Sequence, residues 1–364
     1  MVAALKTDRI AASSQSASAQ LVRVMLVDDS LTVRTVFSRM IEREGDMTIV
    51  ATASTAERGL EQLKSHRVDV ILLDLEMPGM GGIKALPKLL EASPKARVLV
   101  ISSLTAAGAE HTVEALRMGA ADTMLKPQPG GFNDDYREQL LAKIRALKGL
   151  APYEKPAPTQ PKVKTRTVGK RPKVLAIGAS TGGIHALNQF LRQVPKNFNL
   201  PILITQHLPA SFIPVFAKQM EMAAGRPAVL ADEEVEIRRG EIVIAPGHGH
   251  MVVRQKGGRV VTGLAFHAVP TGCTPSVDPM FETLAEAYDG NVAGILLSGM
   301  GRDGTHGSEA IIKAGGSVYA QRADTCAVWG MPRDITERGL ASAVLPPAEL
   351  AERVLATAGA DAWA

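Results

Sequence analysis

VRVMLVDDS occupies residues 22–30, and five of its first six residues are apolar before the segment ends in two aspartates. An apolar run of this length is typical of a strand buried on both faces of a parallel sheet. Residues 32–44 follow with a helical pattern, in which the apolar residues share one stripe: Val33, Val36, Phe37, Met40 and Ile41. The segment therefore predicts a central strand followed by a helix that covers the sheet.

The same alternation of strand and helix continues to about residue 150. A second helix is predicted at Glu57–Lys64, where Ser54 or Thr55 can cap its first turn. Strands are predicted at five places: Val22–Val27, Met47–Ala51, Val68–Leu73, Arg97–Ile101 and Asp122–Leu125. This half is predicted to be an α/β domain on a five-stranded parallel sheet.

The next segment has the composition of a linker. Residues 151–172 read APYEKPAPTQPKVKTRTVGKRP, rich in Pro, Lys and Arg and without a sustained apolar period. A chain of 364 residues also exceeds what one hydrophobic core usually organises. We predict a disordered leader at residues 1–20, a first domain at 21–150, a linker at 151–172 and a second domain at 173–358.

The second half is also predicted to be α/β, with a doubly wound and mostly parallel sheet. Its strands are expected at five places: Lys173–Ile177, Pro201–Thr205, Glu241–Ala245, Asn291–Leu297 and Ser317–Ala320. Between them, His250–Arg254 and Arg259–Gly263 alternate in polarity and flank a turn, which indicates an antiparallel hairpin. The hairpin is expected to make this sheet mixed.

The bulk composition excludes several classes of protein. No apolar run approaches the roughly 20 residues that span a bilayer, and the N-terminus lacks the apolar core of a signal peptide. The two cysteines, Cys273 and Cys326, form no CxxC pair, which favours a cytoplasmic protein. Much of the net charge of +4 lies in the linker, so nucleic-acid binding is not indicated. We expect a monomer.

Acidic side chains stand where the predicted strands of the first half end. Asp28 and Asp29 follow the first strand and Asp74 the third, while Ser102 and Lys126 follow the fourth and fifth. The carboxyl ends of parallel strands converge on one crevice. Three carboxylates held together there need a cation, and their oxygen atoms suit Mg²⁺. A lysine and a hydroxyl beside them would complete a site for a phosphoryl group.

The motifs VDDS, LLDLEMPGMGG, VISSLT and MLKP, in this order, resemble those of two-component receiver domains, whose fold is flavodoxin-like. The resemblance implies that Asp74 accepts the phosphoryl group from a histidine kinase and that Ser102 and Lys126 contact it. It further implies that Mg²⁺ is bound by Asp28, Asp29, Asp74 and the backbone carbonyl of Glu76. Receivers usually carry an aspartate where this chain has Gly81, which puts the packing of that loop in doubt.

A serine stands at a predicted strand-to-helix turn in the second half. GASTGG, residues 178–183, follows the first strand of that domain and places Ser180 where unpaired helix N–H groups can stabilise an anion. A serine hydroxyl needs a base, and the base needs a group that orients it. His207 ends the next strand, and Asp303 follows a later one. This pattern predicts a serine hydrolase of an acyl compound.

The second half resembles the catalytic domain of the chemotaxis methylesterases, the CheB family, from about residue 173 onwards. The motifs that carry the resemblance are GASTGG, QHLP, APGHGHM, TPSVDPMF, LSGMGRDG and WGMP. The resemblance implies that Ser180 is the nucleophile, that His207 is the base and that Asp303 orients the His207 imidazole. It also implies that Thr181 and Met300 line the pocket, with the Met300 backbone N–H as an oxyanion donor.

The same resemblance implies a phosphorylation-activated enzyme that hydrolyses glutamate methyl esters on chemoreceptors and deamidates glutamines, without a cofactor for the ester reaction. The receiver is expected to cover Ser180 until Asp74 is phosphorylated. Two alternatives remain at this point: a receiver-regulated binding module without catalysis, and a dinucleotide enzyme, although GASTGG is not G-x-G-x-x-G. The spacing of His248, His250 and His267 is nonspecific, so we expect no zinc there.

Overall fold

The computed structural model describes residues 21–103, 105–127, 131–148 and 166–363. The predicted leader, residues 1–20, lies outside the described residues, as does most of the predicted linker, residues 151–165. No helix in the described part of the chain is long and apolar enough to span a bilayer.

The first unit alternates strands and helices as predicted. Its elements in chain order are β1 (Val22–Val27), α1 (Leu31–Glu42), β2 (Met47–Ala53), α2 (Ala56–Leu63), β3 (Val70–Asp74), α3 (Gly81–Ala92), β4 (Arg97–Ser102), α4 (Ala106–Met118), β5 (Asp122–Leu125) and α5 (Asp134–Lys148). The five strands are all parallel, in the order β2-β1-β3-β4-β5. The predicted five-stranded parallel sheet is therefore confirmed.

Local sequence explains where the helices of this unit begin. The Ser30 hydroxyl accepts a hydrogen bond from the Val33 backbone N–H and starts α1, and Thr55 caps α2 in the same way. The apolar stripe of α1 then buries Phe37, Met40 and Ile41 against the sheet. Capping thus starts α1 and α2 within a few residues of the preceding strand ends, which leaves the strand-end side chains facing one crevice.

The second unit is larger and uses the same alternation. Its elements are β6 (Val174–Ala179), α6 (Gly183–Leu191), β7 (Ile202–Gln206), α7 (Ile213–Ala224), β8 (Ala228–Leu230), β9 (Ile242–Ile244), β10 (His250–Lys256), β11 (Arg259–Ala265), α8 (Val277–Ala287), β12 (Val292–Leu296), α9 (Thr305–Lys313), β13 (Ser317–Gln321), α10 (Met331–Glu337), β14 (Ala343–Leu345) and α11 (Pro347–Leu355). The three-residue strands β8 and β14, at the two edges of the sheet, were not predicted from the sequence.

The topology of the second unit corrects one expectation. Strands β14-β13-β12-β6-β7-β9-β8 form a seven-stranded sheet in which every pairing is parallel. The predicted hairpin exists, as β10 and β11, but it forms a separate two-stranded antiparallel sheet. It was therefore wrong to expect the hairpin to make the main sheet mixed. The chain winds outward from β6 in one direction and from β12 in the other, so a crevice opens between these strands.

The two units pack directly against each other. The α4 helix of the first unit contacts α6 and α7 of the second. Apolar residues from both units join in one buried cluster, which includes Val113 and Leu116 from α4 and Ile184 and Phe216 from α6 and α7. This contact brings the α4–β5 side of the first sheet over the carboxyl end of β6.

The loop after β3 contains two adjacent glycines, Gly81 and Gly82, and the structure favours glycine at both positions. A Cβ atom on Gly82 would lie 2.1 Å from the Asp74 carbonyl oxygen and 2.7 Å from Leu75 Cα. Gly82 donates its backbone N–H to the Leu75 carbonyl at 3.1 Å. Its neighbour Gly81 has a φ of +68°, a conformation that a side chain disfavours. The loop therefore packs tightly without the aspartate that receivers usually carry there.

Gly82→Ala is expected to destabilise the first unit by about 1 to 3 kcal/mol, because the clash is with backbone atoms that cannot rotate away. Urea unfolding followed by circular dichroism measures the change. Gly45→Ala is the matched control, since a Cβ at Gly45 meets nothing within 4 Å. Equal unfolding midpoints for the two variants would contradict the packing described here.

Candidate active site

The predicted acidic pocket forms at the carboxyl edge of the first sheet. Carboxylate oxygens of Asp28, Asp29 and Asp74 all lie within 4.8 Å of one another. Lys126 places its ammonium 2.6 Å from Asp74 Oδ2 and 3.4 Å from Asp28 Oδ2. Asp74 also accepts a hydrogen bond from the Glu76 backbone N–H at 3.1 Å. The structure therefore assembles the group of residues that the sequence predicted at this edge.

Burial gives the central carboxylate unusual properties. Asp74 is 1% exposed, and this burial, together with the nearby charge of Asp28, raises its pKa to about 6 although Lys126 opposes the shift. Asp28 Oδ2 is buried and has no hydrogen-bond partner among the described residues. A buried carboxylate oxygen whose ion-pair partner, the Lys126 ammonium, lies as far away as 3.4 Å fits a divalent cation. The donor set is thus of the kind that binds Mg²⁺.

Ser102 lies at the end of β4, next to Asp74 on β3, but its hydroxyl is directed towards helix α4. It donates to the carbonyl oxygens of Ser103 and Gly108 at 3.2 and 3.4 Å. It also accepts a hydrogen bond from the hydroxyl of Thr112 on α4. The hydroxyl that the sequence assigned to a phosphoryl group is therefore engaged with the helix that contacts the second unit.

Ser180 follows β6 directly and is half-buried. Its backbone N–H donates to Ser298 O at 3.0 Å, and its carbonyl accepts from Gln206 Nε2 at 2.9 Å. A Cβ atom on Gly182 would lie 2.3 Å from Ala327 Cβ, and Gly182 has a φ of +76°, so only glycine suits this turn. The turn delivers Ser180 to the N-terminus of α6, whose first N–H groups carry partial positive charge.

His207 and Asp303 are joined by a direct hydrogen bond. His207 ends β7 and Asp303 follows β12, the two strands that flank β6. Their contact is a 2.8 Å hydrogen bond between His207 Nε2 and Asp303 Oδ2. In the described part of the chain, no hydrogen bond joins the Ser180 hydroxyl to His207. The structure thus brings the three residues to one crevice and directly pairs two of them.

Asp303 is 1% exposed and is held by other donors besides His207. The Ser276 hydroxyl donates to Oδ1 at 2.6 Å, and the Val277 backbone N–H donates to Oδ2 at 2.7 Å. Burial opposes its ionisation, but these hydrogen bonds and that of His207 keep the pKa of Asp303 below its ordinary value. Asp303 is therefore a fixed negative charge beside the imidazole.

The negative charge of Asp303 affects the pKa of the His207 imidazole. Burial lowers the pKa of His207, but the hydrogen bond to Asp303 and the hydrogen bond and charge of Cys273 outweigh it and raise the pKa to about 9. The ring is 16% exposed. In the packed arrangement, His207 therefore binds a proton more tightly than a free histidine does.

Thr181 directly follows Ser180 in the chain, and Met300 follows Gly299, which packs against Ser180. Thr181 is buried, and its hydroxyl donates to Asp122 Oδ2 of the first unit at 2.6 Å. Met300 is 38% exposed, and the preceding Gly299 packs against Ser180, since a Cβ atom there would lie 2.9 Å from Ser180 Cβ. The structure therefore brings both predicted pocket residues to the nucleophile turn.

The first unit closes the space in front of Ser180. A cavity of about 10 Å³, room for about one water molecule, adjoins Ser180. Its walls come from both units, and those of the first unit are Leu116, Ala120, Ala121 and Asp122. The Gly182 backbone N–H also donates to the Ala121 carbonyl at 2.6 Å. A bulky substrate cannot reach Ser180 in this arrangement.

Sequence reasoning missed four contributors to the site. Ser276 lies within the TPSVDPMF motif, and this motif was the signal that could have identified it. His250 orients Ser276 by accepting a hydrogen bond from its backbone N–H at 3.0 Å. His250 also contacts the His267 carbonyl at 2.8 Å, so both its ring nitrogens are engaged in structure. No motif in the sequence pointed to Asp122 or Cys273. Asp122 reaches the site across the interface between the two units, and Cys273 reaches it through the fold of its loop.

A receiver-like unit joined to a doubly wound domain with a serine, histidine and aspartate group defines a receiver-controlled serine hydrolase. Residues 24–131 match the response regulator receiver domain, and residues 175–354 match the CheB methylesterase family. The chain belongs to the CheB methylesterase family and is an enzyme of that class.

Relatives named protein-glutamate methylesterase/protein-glutamine glutaminase share most of the chain. One from Rhodospirillum rubrum is 38% identical over 93% of this chain and 95% of its own. Another, from Caulobacter vibrioides, is 40% identical over 89% of this chain and 95% of its own. The crystal structure of the Thermotoga maritima CheB methylesterase catalytic domain is 33% identical and covers 51% of this chain and 98% of its own, with a TM-score of 0.49.

NMR titration of the histidine ring protons should place the pKa of His207 at about 9. Asp303→Asn removes the negative charge and is expected to lower that pKa towards the ordinary value of about 6.5. Cys326→Ala, at a cysteine without contact to His207, serves as the control and should leave the titration unchanged. A wild-type pKa near the ordinary value would contradict the described electrostatics.

Proposed function

We propose that Ser180, His207 and Asp303 act as a catalytic triad that hydrolyses γ-glutamyl methyl esters. The observation that carries the proposal is the 2.8 Å contact of His207 Nε2 with the buried Asp303, on strands that flank the one ending at Ser180. Because Nε2 faces the aspartate, Nδ1 is the nitrogen available to take the serine proton.

The reaction proceeds through an acyl-enzyme. Ser180 Oγ attacks the ester carbonyl while His207 takes its proton, and the protonated imidazole then donates that proton to the departing methoxide, which leaves as methanol. Water, deprotonated by the same imidazole, attacks the acyl carbonyl, releases glutamate and restores the serine. Deamidation of glutamine follows the same steps with ammonia as the leaving group. Since His207 must be neutral to act, hydrolysis should rise with pH as the pH passes through the pKa of His207 in the open form.

The developing oxyanion is stabilised by backbone N–H groups at the nucleophile turn. The N-terminus of α6 lies directly after Ser180, and Met300 follows Gly299, which packs against Ser180 Cβ. The Met300 N–H is a second donor in this scheme. Thr181 and the exposed Met300 side chain line the pocket that receives the glutamyl ester.

The substrates are chemoreceptors, and a chemotaxis histidine kinase supplies the phosphoryl group to Asp74. Mg²⁺ would be held in the acidic pocket by Asp28, Asp29, Asp74 and the Glu76 carbonyl, and would supply positive charge that neutralises the phosphoryl group. The ester reaction uses no cofactor. The enzyme works in the cytoplasm, as a monomer, on the cytoplasmic parts of its receptors. Its action removes methyl groups and so contributes to adaptation in chemotaxis.

Regulation is a shift between a closed and an open arrangement of the two domains. The packed arrangement supports this proposal, because Asp122 engages the Thr181 hydroxyl and Ala121 engages Gly182, beside the nucleophile. Lys143 holds the Asp122 carboxylate from the receiver side at 2.5 Å. These contacts stabilise the closed form and occupy the groups that a substrate needs.

The path from Asp74 to the interface passes through helix α4. In the closed form the Ser102 hydroxyl is bonded to Thr112, which directly precedes Val113, one of the α4 residues that pack against the catalytic domain. When Ser102 turns towards a phosphoryl group on Asp74, α4 loses this anchor. The change loosens the closed arrangement and exposes Ser180.

Ser180→Ala is expected to reduce methanol release from methylated receptor membranes by at least about 1,000-fold, since no other residue can form the acyl-enzyme. The fold should be retained, as measured by circular dichroism. Ser65→Ala, at an exposed serine of the receiver, is the control. Undiminished hydrolysis by Ser180→Ala would refute the triad and favour a binding module.

Asp122→Ala should raise the activity of the unphosphorylated enzyme. A hydrogen bond to a charged group contributes about 1.5 to 3 kcal/mol, so its loss shifts the closed–open equilibrium by about 10-fold to 100-fold. The ratio of activities with and without a phosphoryl mimic should fall accordingly. Asp46→Ala is the matched control and should leave the basal activity unchanged, because Asp46 pairs with Arg145 away from the interface. Unchanged basal activity in Asp122→Ala would contradict the autoinhibitory role of this contact.

A further inference from the structure

Cys273 lies beside the catalytic pair, although no step of the reaction uses it. The Cys273 thiol, an imidazole nitrogen of His207 and a carboxylate oxygen of Asp303 all lie within 4.8 Å of one another. The thiol is free and half-buried. Thiolate, imidazole and carboxylate are the three side-chain types that bind Zn²⁺ in proteins.

We propose that His207, Cys273 and Asp303 form a binding site for Zn²⁺ or a similar thiophilic divalent cation, and that occupation of this site inhibits the esterase. The inhibitory part rests on the proposed role of His207 as the base. The metal site itself rests only on the position of the three side chains.

The loop that carries Cys273 is held around Asp303. The Thr271 hydroxyl donates to Asp303 Oδ1 at 3.4 Å, and Ser276 and Val277 donate to the same carboxylate at 2.6 and 2.7 Å. These anchors lie on either side of Cys273 in the chain. The thiol is therefore positioned by the same buried charge that orients the imidazole, which is the preorganisation that metal ligands need.

The three ligand atoms, all within 4.8 Å of one another, must move to coordination distances for an ion to enter. Ligands of a tetrahedral zinc ion at about 2.0 to 2.3 Å lie about 3.3 to 3.7 Å apart, and the present pair, His207 Nε2 and Asp303 Oδ2, is 2.8 Å apart. His207 also lines a cavity of about 270 Å³ between the two domains, which offers a route for the ion and space for water as a fourth ligand.

Occupation of this site stops catalysis for a simple reason. A neutral imidazole has one acceptor nitrogen, and a metal ion that takes its lone pair leaves none for the serine proton. The carboxylate that orients the ring is bound as well. Metal binding and hydrolysis therefore compete for the same atoms.

The inhibition experiment uses the full chain, freed of metal, with a phosphine reductant and excess Mg²⁺ to fill the receiver pocket. Zn²⁺ should inhibit methanol release, and chelation should restore it. Cys273→Ala should need about 100-fold more Zn²⁺ for half-inhibition of its own metal-free rate, because even partners of metal ligands contribute about 10-fold to 100-fold to affinity. Cys326→Ala, at the other, buried cysteine, should respond as the wild type does.

A spectroscopic measurement tests the site independently of activity. Co²⁺ added to the wild-type chain should give a thiolate-to-cobalt charge-transfer band in the near ultraviolet. The band should persist in Ser180→Ala and Cys326→Ala and disappear in Cys273→Ala; the oxygen ligands of the receiver pocket cannot produce it. A band that depends on Cys273 in a chain whose hydrolysis is indifferent to Ser180→Ala would support the metal site while refuting the triad.

Two results would overturn the proposal. The first is the absence of a thiolate–cobalt band in the wild type, or its persistence in Cys273→Ala. The second is half-inhibition at the same Zn²⁺ concentration in the wild type and Cys273→Ala, which would place the inhibitory ion elsewhere, for example on the receiver carboxylates.

Discussion

The buried carboxylate of Asp303 organises the catalytic domain around its crevice. An ionised carboxylate at 1% exposure is costly to keep unless donors surround it. The donors come from separate parts of the chain: His207 from the end of β7, and Thr271, Ser276 and Val277 from the loop before α8. Satisfying one charge therefore fixes the base, the wall of the pocket and the start of a helix together.

The interface between the domains uses hydrogen-bond donors that lie directly beside Ser180. Thr181 and Gly182, the two residues after the nucleophile, both donate hydrogen bonds to the receiver. A closed form that is held by these donors cannot also present them to a substrate. In the proposed regulation, competition for hydrogen bonds therefore adds to steric cover, and the domains must separate before Thr181 and Gly182 can donate to a substrate.

The sequence predicted the five receiver strands, the convergence of Ser180, His207 and Asp303 on one crevice, and the acidic pocket. Each depends on strand ends, which converge in parallel sheets. It could not place the hairpin correctly, since polarity alternation identifies antiparallel pairing but not the sheet to which a pair belongs. The contacts of Asp122 and Cys273 were also inaccessible. Asp122 meets Thr181 only after two domains dock, and Cys273 meets His207 only because a loop closes around Asp303.

The size of the regulatory response depends on how these contacts are coupled. Competition for the Ser102 hydroxyl alone exchanges one neutral hydrogen bond, which contributes about 0.5 to 1.5 kcal/mol and so changes the open population by about 10-fold at most. The Asp122–Thr181 and Ala121–Gly182 contacts lie on the β5 side of the same interface and break together when the domains separate. A larger activation therefore requires that the release of α4 also destabilises the Asp122–Thr181 and Ala121–Gly182 contacts after β5. The apolar cluster that joins α4 to α6 and α7 links the position of α4 to these contacts.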